Sequence, residues 1–216
     1  GAAVGAGWRR RGGVRGGVVL LAAAAWLYDV AAGAQGARGG GLAQVLGGSR
    51  VGVQGRIASG QGRGDPLHRK SGARLLWPPD ASGWTVQREN EISYGLDVTR
   101  SMYSSGNGTE KARVAARRCV NEVVVDLYAG LGYFTLPYLV HARAAHLHAC
   151  EWDQDSLAEL RHNLRANGVE DRCTVHPGDN TASAPAFARC ADRVNLGLSP
   201  SSEAAWPVAI AALRPA

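Results

Sequence analysis

The pattern of apolar and polar positions predicts alternating strands and helices over the second half of the chain. Three consecutive valines at positions 123–125 suit a strand that is buried on both faces, and residues 133–142 follow as a helix. Further strands are predicted at residues 145–150, 172–176 and 193–198. Further helices are predicted after Asp153, which can cap one, and over residues 201–213. This alternation predicts an α/β fold with a doubly wound parallel sheet of the Rossmann-like type.

A pattern of period two precedes this part of the chain and predicts a β-hairpin. Residues 84–89 and 92–98 alternate between apolar and polar side chains, and Asn90 lies between them as a turn residue. A glycine-rich loop that starts at Ser104 follows, and residues 109–118 are predicted to form a helix. The hairpin and this helix are interpreted as a small module ahead of the main domain.

Residues 1–74 have weak periodicity and much Gly and Arg, which predicts a poorly ordered or weakly helical region. Residues 18–28 are apolar and imitate a secretory signal, but they are too short to span a bilayer. An Ala-rich helix that packs against other elements fits the chain better, and residues 33–64 are interpreted as loop or poorly ordered. The chain is therefore expected to contain a Gly/Arg-rich region, a β-containing module and a partial Rossmann-like domain: residues 1–74, 75–118 and 119–216.

Charge is distributed unevenly between the two parts of the chain. Of the formal net charge of +6, residues 1–80 contribute +8 and residues 81–216 contribute −2. A basic part indicates an anionic partner such as nucleic acid or a membrane surface. The alternative is that many Arg, Gly and Ala residues reflect a compositional bias of the coding DNA, and both interpretations stay open.

The cysteines and histidines do not have the spacing of a metal site. The four cysteines include no Cys-x-x-Cys pair: Cys119, Cys150, Cys173 and Cys190. We predict free thiols in a reducing compartment, and therefore a cytoplasmic protein without a metal and without a membrane association. His146 and His148 lie on one face of a predicted strand, and without a carboxylate or thiol companion they are interpreted as packed or surface residues.

Two glycines follow the strand that ends at Asp126. Tyr128, Gly130 and Gly132 belong to the turn between this strand and the next predicted helix. Glycines let the backbone turn tightly and come close to a ligand. Open α/β sheets bind nucleotides between a strand end and a helix start. We therefore predict a nucleoside-cofactor site at this turn.

Polar side chains follow the next two strands on the same rim of the sheet. Glu151 ends the second strand and is predicted to accept both hydroxyls of a ribose. The alternative is an acid that the dipole of the following helix favours, but Asp153 already serves that purpose. Asp179 and Asn180 end the third strand, where a donor and an acceptor can read an adenine edge.

Several stretches between residues 76 and 214 form a set of motifs: Tyr94-Gly-Leu-Asp-Val-Thr, Met102-Tyr-Ser-Ser-Gly-Asn-Gly-Thr-Glu-Lys, Asp126-Leu-Tyr-Ala-Gly-Leu-Gly-Tyr-Phe-Thr-Leu-Pro, Cys150-Glu-Trp, Asn163-Leu-Arg-Ala-Asn, Gly178-Asp-Asn and Asp192-Arg-Val-Asn-Leu-Gly-Leu. As a set they resemble the class I S-adenosylmethionine-dependent tRNA enzymes. They are more closely similar to the wybutosine-synthesising protein 2 family of tRNA aminocarboxypropyltransferases.

The resemblance implies an activity and a site. The implied reaction moves the 3-amino-3-carboxypropyl group of S-adenosylmethionine to a carbon of the wye-base precursor beside the anticodon of phenylalanine tRNA. The residues implied to contact the cofactor are Ser104, Lys111, Glu151, Asp179 and Asn180. Lys111 is implied to meet the carboxylate of the cofactor.

The sulfonium of this cofactor polarises three carbons, and geometry decides which of them reacts. Because sulfonium is a good leaving group, we expect that holding the reactants about 3–3.5 Å apart supplies most of the catalysis. No general base is identified. Asn195 borders the site, and two roles stay open for it: contact with the acceptor base, or a strand-end hydrogen bond to backbone.

Two other functions stay open. A sister family that methylates guanosine typically has Asn-Leu-Pro where this chain has Gly197 in third place, and an arginine where it has Gly106; both differences favour the transferase. A nicotinamide dehydrogenase is disfavoured because the third glycine of Gly-x-Gly-x-x-Gly is absent.

The other function that stays open is that of a non-catalytic fragment. The family continues beyond the last residue, so we expect an incomplete sheet with an open edge at residues 193–198. We therefore expect an insoluble or molten chain that turns over no tRNA.

Overall fold

Strands are present in the first 54 residues of the protein. The computed structural model describes residues 13–15, 17–22, 40–41, 43–44, 47–54 and 71–215. Four strands form one sheet in chain order: β1 (Gly13–Arg15), β2 (Val18–Ala22), β3 (Arg50–Gln54) and β4 (Arg74–Trp77). The β1–β2 and β3–β4 pairs are antiparallel, and the β2–β3 pair is parallel. Val18 and Val51 are fully buried in this sheet.

The expectation of a poorly ordered or weakly helical region over residues 1–74 is wrong at residues 13–15, 18–22 and 50–54, which are strands, whereas residues 40–41 and 43–44 are helical. Val18–Ala22 is a strand, not the start of a helix. Its valines are stiff at χ1 and suit a pleated surface, and it pairs with a strand 32 residues later, from Val18 opposite Arg50 onward. Residues 23–28 of the predicted helix lie outside the described residues, as do residues 33–39 and 55–64 of the predicted loop.

The predicted hairpin is confirmed. It consists of β5 (Trp84–Glu89) and β6 (Ile92–Asp97). Asn90 and Glu91 connect the strands with φ values of 47° and 61°, and two left-handed central residues are typical of the hairpin turn that matches strand twist. The loop after it contains a 3₁₀ turn (Ser105–Asn107), and α1 (Gly108–Ala115) ends three residues before the predicted position.

The predicted parallel sheet is confirmed as the second large feature. Strands and helices alternate along the chain: β7 (Val123–Asp126), α2 (Thr135–Val140), β8 (His146–Glu151), α3 (Gln154–Ala166), β9 (Cys173–Pro177), α4 (Asn180–Ser183), β10 (Arg193–Asn195) and α5 (Trp206–Ala212). The strand order is β10-β7-β8-β9, and each neighbouring pair is parallel. The order therefore reverses between β7 and β10, which is where open α/β sheets bind ligands.

Three elements of the parallel-sheet unit are shorter than predicted: α2, β10 and α5. α2 starts at Thr135 because residues 131–134 form turns after the glycines. β10 ends at Asn195, at one edge of the described sheet. Gly197 and Pro200 follow, and neither residue type supports a continued strand ladder. α5 is preceded by a 3₁₀ turn (Glu203–Ala205).

The chain divides into two compact units. One contains the described residues up to Gln87 together with Gly95–Tyr103, and the other contains Arg88–Tyr94 and the residues from Ser104 onward. The predicted boundaries after residues 74 and 118 differ from this division, since the hairpin tip and α1 belong with the parallel sheet.

A reciprocal hydrogen-bonded pair illustrates why the hairpin tip belongs with the parallel sheet. The backbone N–H of Ser93 donates to Asn167 Oδ1 at 2.9 Å, and Asn167 Nδ2 donates to the Ser93 carbonyl at 2.8 Å. Asn167 is the residue that ends α3.

The parallel-sheet unit has a core of leucines that are almost fully buried: Leu127, Leu131, Leu136, Leu139, Leu147, Leu160 and Leu164. Burying a leucine side chain stabilises a fold by about 1.5–3 kcal/mol, so these side chains hold α2 and α3 to the sheet. Throughout the described part of the chain, every helix is too short or too polar to cross a membrane.

Candidate functional site

Asp126 and Asn195 lie opposite each other at the carboxyl ends of β7 and β10. Asn195 Nδ2 donates to Asp126 Oδ1 at 2.9 Å, and Thr135 Oγ1 donates to Asp126 Oδ2 at 2.8 Å. Asp126 is fully buried. Burial raises the pKa of its carboxyl group, and hydrogen bonds from Asn195, Thr135 and the Tyr128 backbone partly offset that rise. Asp126 therefore joins β7, β10 and the start of α2 at the point where the strand order reverses.

The turn after β7 depends on its two glycines. Gly130 and Gly132 have φ values of +57° and +106°, which an L side chain rarely adopts. A Cβ on Gly132 would lie 3.1 Å from Leu136 and 3.2 Å from Leu160. A Cβ on Gly130 would lie 3.1 Å from the ring of Tyr133. The turn is thus packed closely against α2 and α3, and its path is set by residues without side chains.

Glu151 joins the end of β8 to this glycine turn. Its Oε2 accepts from the Gly130 N–H at 2.7 Å, and its Oε1 accepts from the N–H groups of Trp152 and Asp153 at 2.9 and 2.8 Å. Only 9% of the residue is exposed. Burial raises the pKa of the carboxyl group, and the three backbone donors partly offset this. A carboxylate oxygen accepts more than one hydrogen bond, so this fixed group can also accept ribose hydroxyls.

The predicted cap of the helix after Glu151 is confirmed. Asp153 Oδ1 accepts from the Ser156 N–H at 2.9 Å at the start of α3. Asp153 therefore caps α3, and Glu151 uses Oε2 for the glycine turn and Oε1 for the backbone just before α3.

Asn180 and Asp179 lie at the end of β9 and behave differently. Asn180 Nδ2 donates to the Leu127 carbonyl at 3.1 Å, which ties it to the segment after β7. The Gly178 N–H donates to the Glu151 carbonyl at 2.9 Å. Asp179 is exposed, and its side chain accepts from the Thr181 N–H at the start of its own helix α4. The rim therefore brings together the ends of β7, β8 and β9.

Lys111 and Ser104 both lie at Tyr133, the residue that follows the glycine turn. Lys111 is 4% exposed, and its Nζ lies 2.5 Å from Glu89 Oε2. The same Nζ lies 5.3 Å from the ring centre of Tyr94 and 5.9 Å from that of Tyr133. The Ser104 N–H donates to the Tyr133 hydroxyl oxygen at 3.2 Å. Tyr133 follows Gly132 directly, so it connects both residues to the turn.

Sequence reasoning missed Glu89, Tyr94, Tyr133 and Thr135. Lys111 itself was a signal, since a lysine on the buried face of a short helix requires a carboxylate partner. The pattern could not say which carboxylate, because Glu89 lies 22 residues earlier on a strand.

The side-chain amide of Asn195 donates to the Asp126 carboxylate and not to backbone, while the Asn195 carbonyl accepts from the Leu127 N–H at 3.2 Å. Contact of Asn195 with the acceptor base stays a prediction. Gly197, two residues on, lies against an aromatic ring. A Cβ there would be 3.2 Å from the ring of Phe134 and 3.5 Å from Asn195 Nδ2. A larger residue at position 197 would displace Phe134.

The histidines pack against each other, as predicted. The rings of His146 and His148 lie 5.0 Å apart, and His148 Nδ1 lies 3.0 Å from His176 Nε2. Burial, with the neighbouring His146 and His176, lowers the pKa of His148 to about 4. Within the described ranges, no three His, Cys, Asp or Glu side chains are grouped so that they could hold a metal ion.

Known proteins resemble this chain in sequence and in fold. The family model described as the TRM5/TYW2 methyltransferase domain matches residues 85–215, more than half of the chain. A tRNA wybutosine-synthesizing protein 2 homolog from Danio rerio is 61% identical over 126 residues, which cover 58% of this chain and 30% of the relative. The corresponding Homo sapiens protein is 52% identical over 164 residues, which cover 76% of this chain and 36% of the relative.

A crystal structure of P. horikoshii TYW2 in complex with MeSAdo superposes with a TM-score of 0.74 and 28% sequence identity. The match covers 95% of this chain and 68% of that one. The chain spans about a third of the length of the curated relatives it matches.

Proposed function

The chain belongs to the TRM5/TYW2 methyltransferase domain family, and on that premise we propose that it binds S-adenosylmethionine over the glycine turn and transfers the cofactor's 3-amino-3-carboxypropyl group to tRNA. Relatives that are 49–61% identical support the transferase over its methylating sister, since they are named tRNA wybutosine-synthesizing protein 2 homologs. The solved relative that binds MeSAdo is 28% identical.

The observation that carries the proposal is the hydrogen bond between Glu151 and Gly130. It places a nearly buried carboxylate beside a turn that has no side chain at Gly130 or Gly132. A nucleoside can approach such a backbone closely, and the carboxylate can accept its ribose hydroxyls. Asn180, tied to the same rim, is proposed to contact the base of the nucleoside, together with the exposed Asp179.

S-adenosylmethionine supplies an activated carbon whose bond to sulfur breaks with its electron pair going to sulfur, which leaves neutral methylthioadenosine. The new carbon–carbon bond forms at the acceptor base, which loses a proton. The protein's own residues are proposed to fix the two reactants in line, which accounts for most of the rate. Lys111 holds the amino-acid end, and the Asp126–Asn195 pair sets the shape of the sheet rim beside the acceptor.

The proposed acceptor is the wye-base precursor beside the anticodon of phenylalanine tRNA. The basic charge of the chain is consistent with an RNA partner. We also propose a cytoplasmic location, on the ground that the four cysteines are free thiols.

The product identifies the reaction. The protein is incubated with precursor-bearing tRNA and with S-adenosylmethionine labelled either in the methyl group or in the carboxypropyl group. We expect the carboxypropyl label to enter the tRNA and methylthioadenosine to form. Methyl label alone in the tRNA would establish the methyltransferase, and cofactor binding without transfer of either label would establish a non-catalytic chain.

A further inference from the structure

We propose that Glu89 and Lys111 together bind the amino-acid end of the cofactor, with the Glu89 carboxylate receiving the α-ammonium group and Lys111 the α-carboxylate. This inference rests on the proposed function, and it adds a residue, Glu89, that neither the sequence motifs nor the family resemblance assigned to the site. The pair would therefore select ligands that carry both an ammonium group and a carboxylate group.

The two side chains form an ion pair of unequal exposure. Lys111 Nζ and Glu89 Oε2 are 2.5 Å apart, and the side chains are 4% and 30% exposed. A buried ammonium group needs a carboxylate nearby, since the cost of leaving its charge uncompensated is large. Glu89 provides that charge, and its side chain stays 30% exposed, so a ligand can reach it.

The position of Glu89 is set by α1. A Cβ on Gly108, the first residue of α1, would lie 3.5 Å from Glu89 Oε1. The carboxylate is therefore beside the start of the helix, where the helix dipole favours negative charge. Glu89 thus lies beside the first turn of α1, the helix that also carries Lys111.

Tyr133 links the pair to the glycine turn. Its ring centre lies 5.9 Å from Lys111 Nζ, and the same ring would lie 3.1 Å from a Cβ on Gly130. A nucleoside seated over the turn therefore has the ion pair one aromatic residue away, on the side toward Ser104. The amino-acid end of S-adenosylmethionine extends from the ribose and carries two opposite charges, for which this ion pair offers two opposite partners.

Charge selects the ligand at this pair. An amino acid carries an ammonium and a carboxylate group on one carbon, so each ligand charge can face the opposite protein charge and each protein charge keeps its partner. A ligand with the carboxylate alone would bring two carboxylates to one lysine, and the like charges would repel strongly where water is partly excluded. The pair is thus expected to require the α-ammonium group.

The test compares ligands that differ only at this end. Calorimetry measures the binding of S-adenosylhomocysteine, its analogue without the α-amino group, and methylthioadenosine, which lacks the amino-acid end. In the wild type, removal of the α-amino group is expected to weaken binding about tenfold, the effect of one hydrogen bond to a charged group. In Glu89→Gln, S-adenosylhomocysteine is expected to weaken about tenfold, while methylthioadenosine changes less than about twofold.

The matched control is Glu110→Gln. It removes a carboxylate that pairs with Arg113 and lies on α1, the helix that carries Lys111. We expect the affinities for all three ligands to stay unchanged. Equal losses for S-adenosylhomocysteine and methylthioadenosine in Glu89→Gln would overturn the inference and leave Glu89 a support for Lys111. If Glu89→Gln does not fold, the ligand comparison in the wild type is the test. Equal wild-type affinity for S-adenosylhomocysteine and its deaminated analogue would overturn the inference. Failure of the wild type to bind any of the three ligands would instead overturn the proposed function.

Discussion

The carboxylate of Glu151 accepts a hydrogen bond from the backbone N–H of Gly130 at 2.7 Å. Two features that are 21 residues apart in the sequence, an acid at a strand end and a glycine turn, are therefore one structural unit. The bond orients the carboxylate before any ligand arrives, which reduces the ordering that binding must impose.

Replacing Glu151 by alanine should weaken binding of S-adenosylmethionine by about 1.5–3 kcal/mol, the range for hydrogen bonds to a charged group. The measurement is isothermal calorimetry on both proteins. Glu170→Ala is the control, because Glu170 is exposed and pairs only loosely with Arg165 at 3.4 Å, and it should not alter affinity. Unchanged affinity in Glu151→Ala would remove Glu151 from the site.

Asn195→Ala should lower the free energy of unfolding by about 1.5–3 kcal/mol, because the buried Asp126 carboxylate loses one of its donors. Urea unfolding at pH 7 measures the change. Asn195→Asp should be more destabilising at neutral pH, since it places a second carboxylate against Asp126. That loss should shrink as the pH falls and the two groups share a proton. A loss of stability, relative to the wild type, that is the same at every pH would contradict the direct contact.

Gly132→Ala should destabilise the fold more than Gly178→Ala. The two glycines have similar φ values, +106° and +102°, and strain at such a conformation costs about 1–3 kcal/mol. A Cβ on Gly178 meets nothing within 4 Å, whereas one on Gly132 meets Leu136 and Leu160, so overpacking adds a further cost of about the same size. The difference between the two unfolding free energies isolates the packing contribution, and equal values would show that crowding at the turn is absent.

Acid should destabilise the fold through His148. Its folded-state pKa is lowered to about 4, chiefly by burial, from an ordinary value of 6.5. Between these two values the unfolded state binds more protons than the folded state, so the stabilising contribution is complete above pH 6.5 and is lost as the pH falls toward 4. His176, whose pKa is lowered by burial, acts in the same direction.

The carboxyl groups of Asp126 and Glu151 act in the opposite direction, because burial raises their pKa and their contribution is lost as the pH rises. The comparison of wild type with His148→Gln cancels these carboxyl contributions and measures His148 together with its coupling to His146 and His176. We expect the difference in unfolding free energy between pH 7 and pH 5 to be smaller in His148→Gln than in the wild type and in the control His162→Gln. An equal difference in all three proteins would contradict the prediction.

Local pattern was sufficient where the structure is locally determined. The valine run and the two glycines that follow it identified β7 and its turn, because strand burial and backbone freedom are properties of the residues themselves. The strand Val18–Ala22 was not predictable in this way, since its partner strand begins at Arg50 and its own alanine-rich surroundings favour a helix. Tertiary pairing decided against the local preference.

The residues of the candidate site likewise include some that local pattern predicts and one that it does not. Glu151 and Asn180 could be identified because they end strands that the pattern locates, and the carboxyl ends of parallel strands share one rim. Glu89 could not, since it comes to Lys111 from a hairpin in an earlier part of the chain. Its role depends on a contact that no spacing in the sequence encodes.

The amide of Asn167 bonds both backbone groups of Ser93, as a neighbouring strand would. A single side chain thereby holds the tip of the hairpin, and Glu89 ends the first strand of that hairpin, four residues before Ser93. A substitution of Asn167, at the end of α3, would then change the affinity of Glu89 for the cofactor's amino-acid end without touching a ligand atom. Such remote positions give evolution, or an engineer, a way to tune affinity while the chemistry of the rim stays as it is.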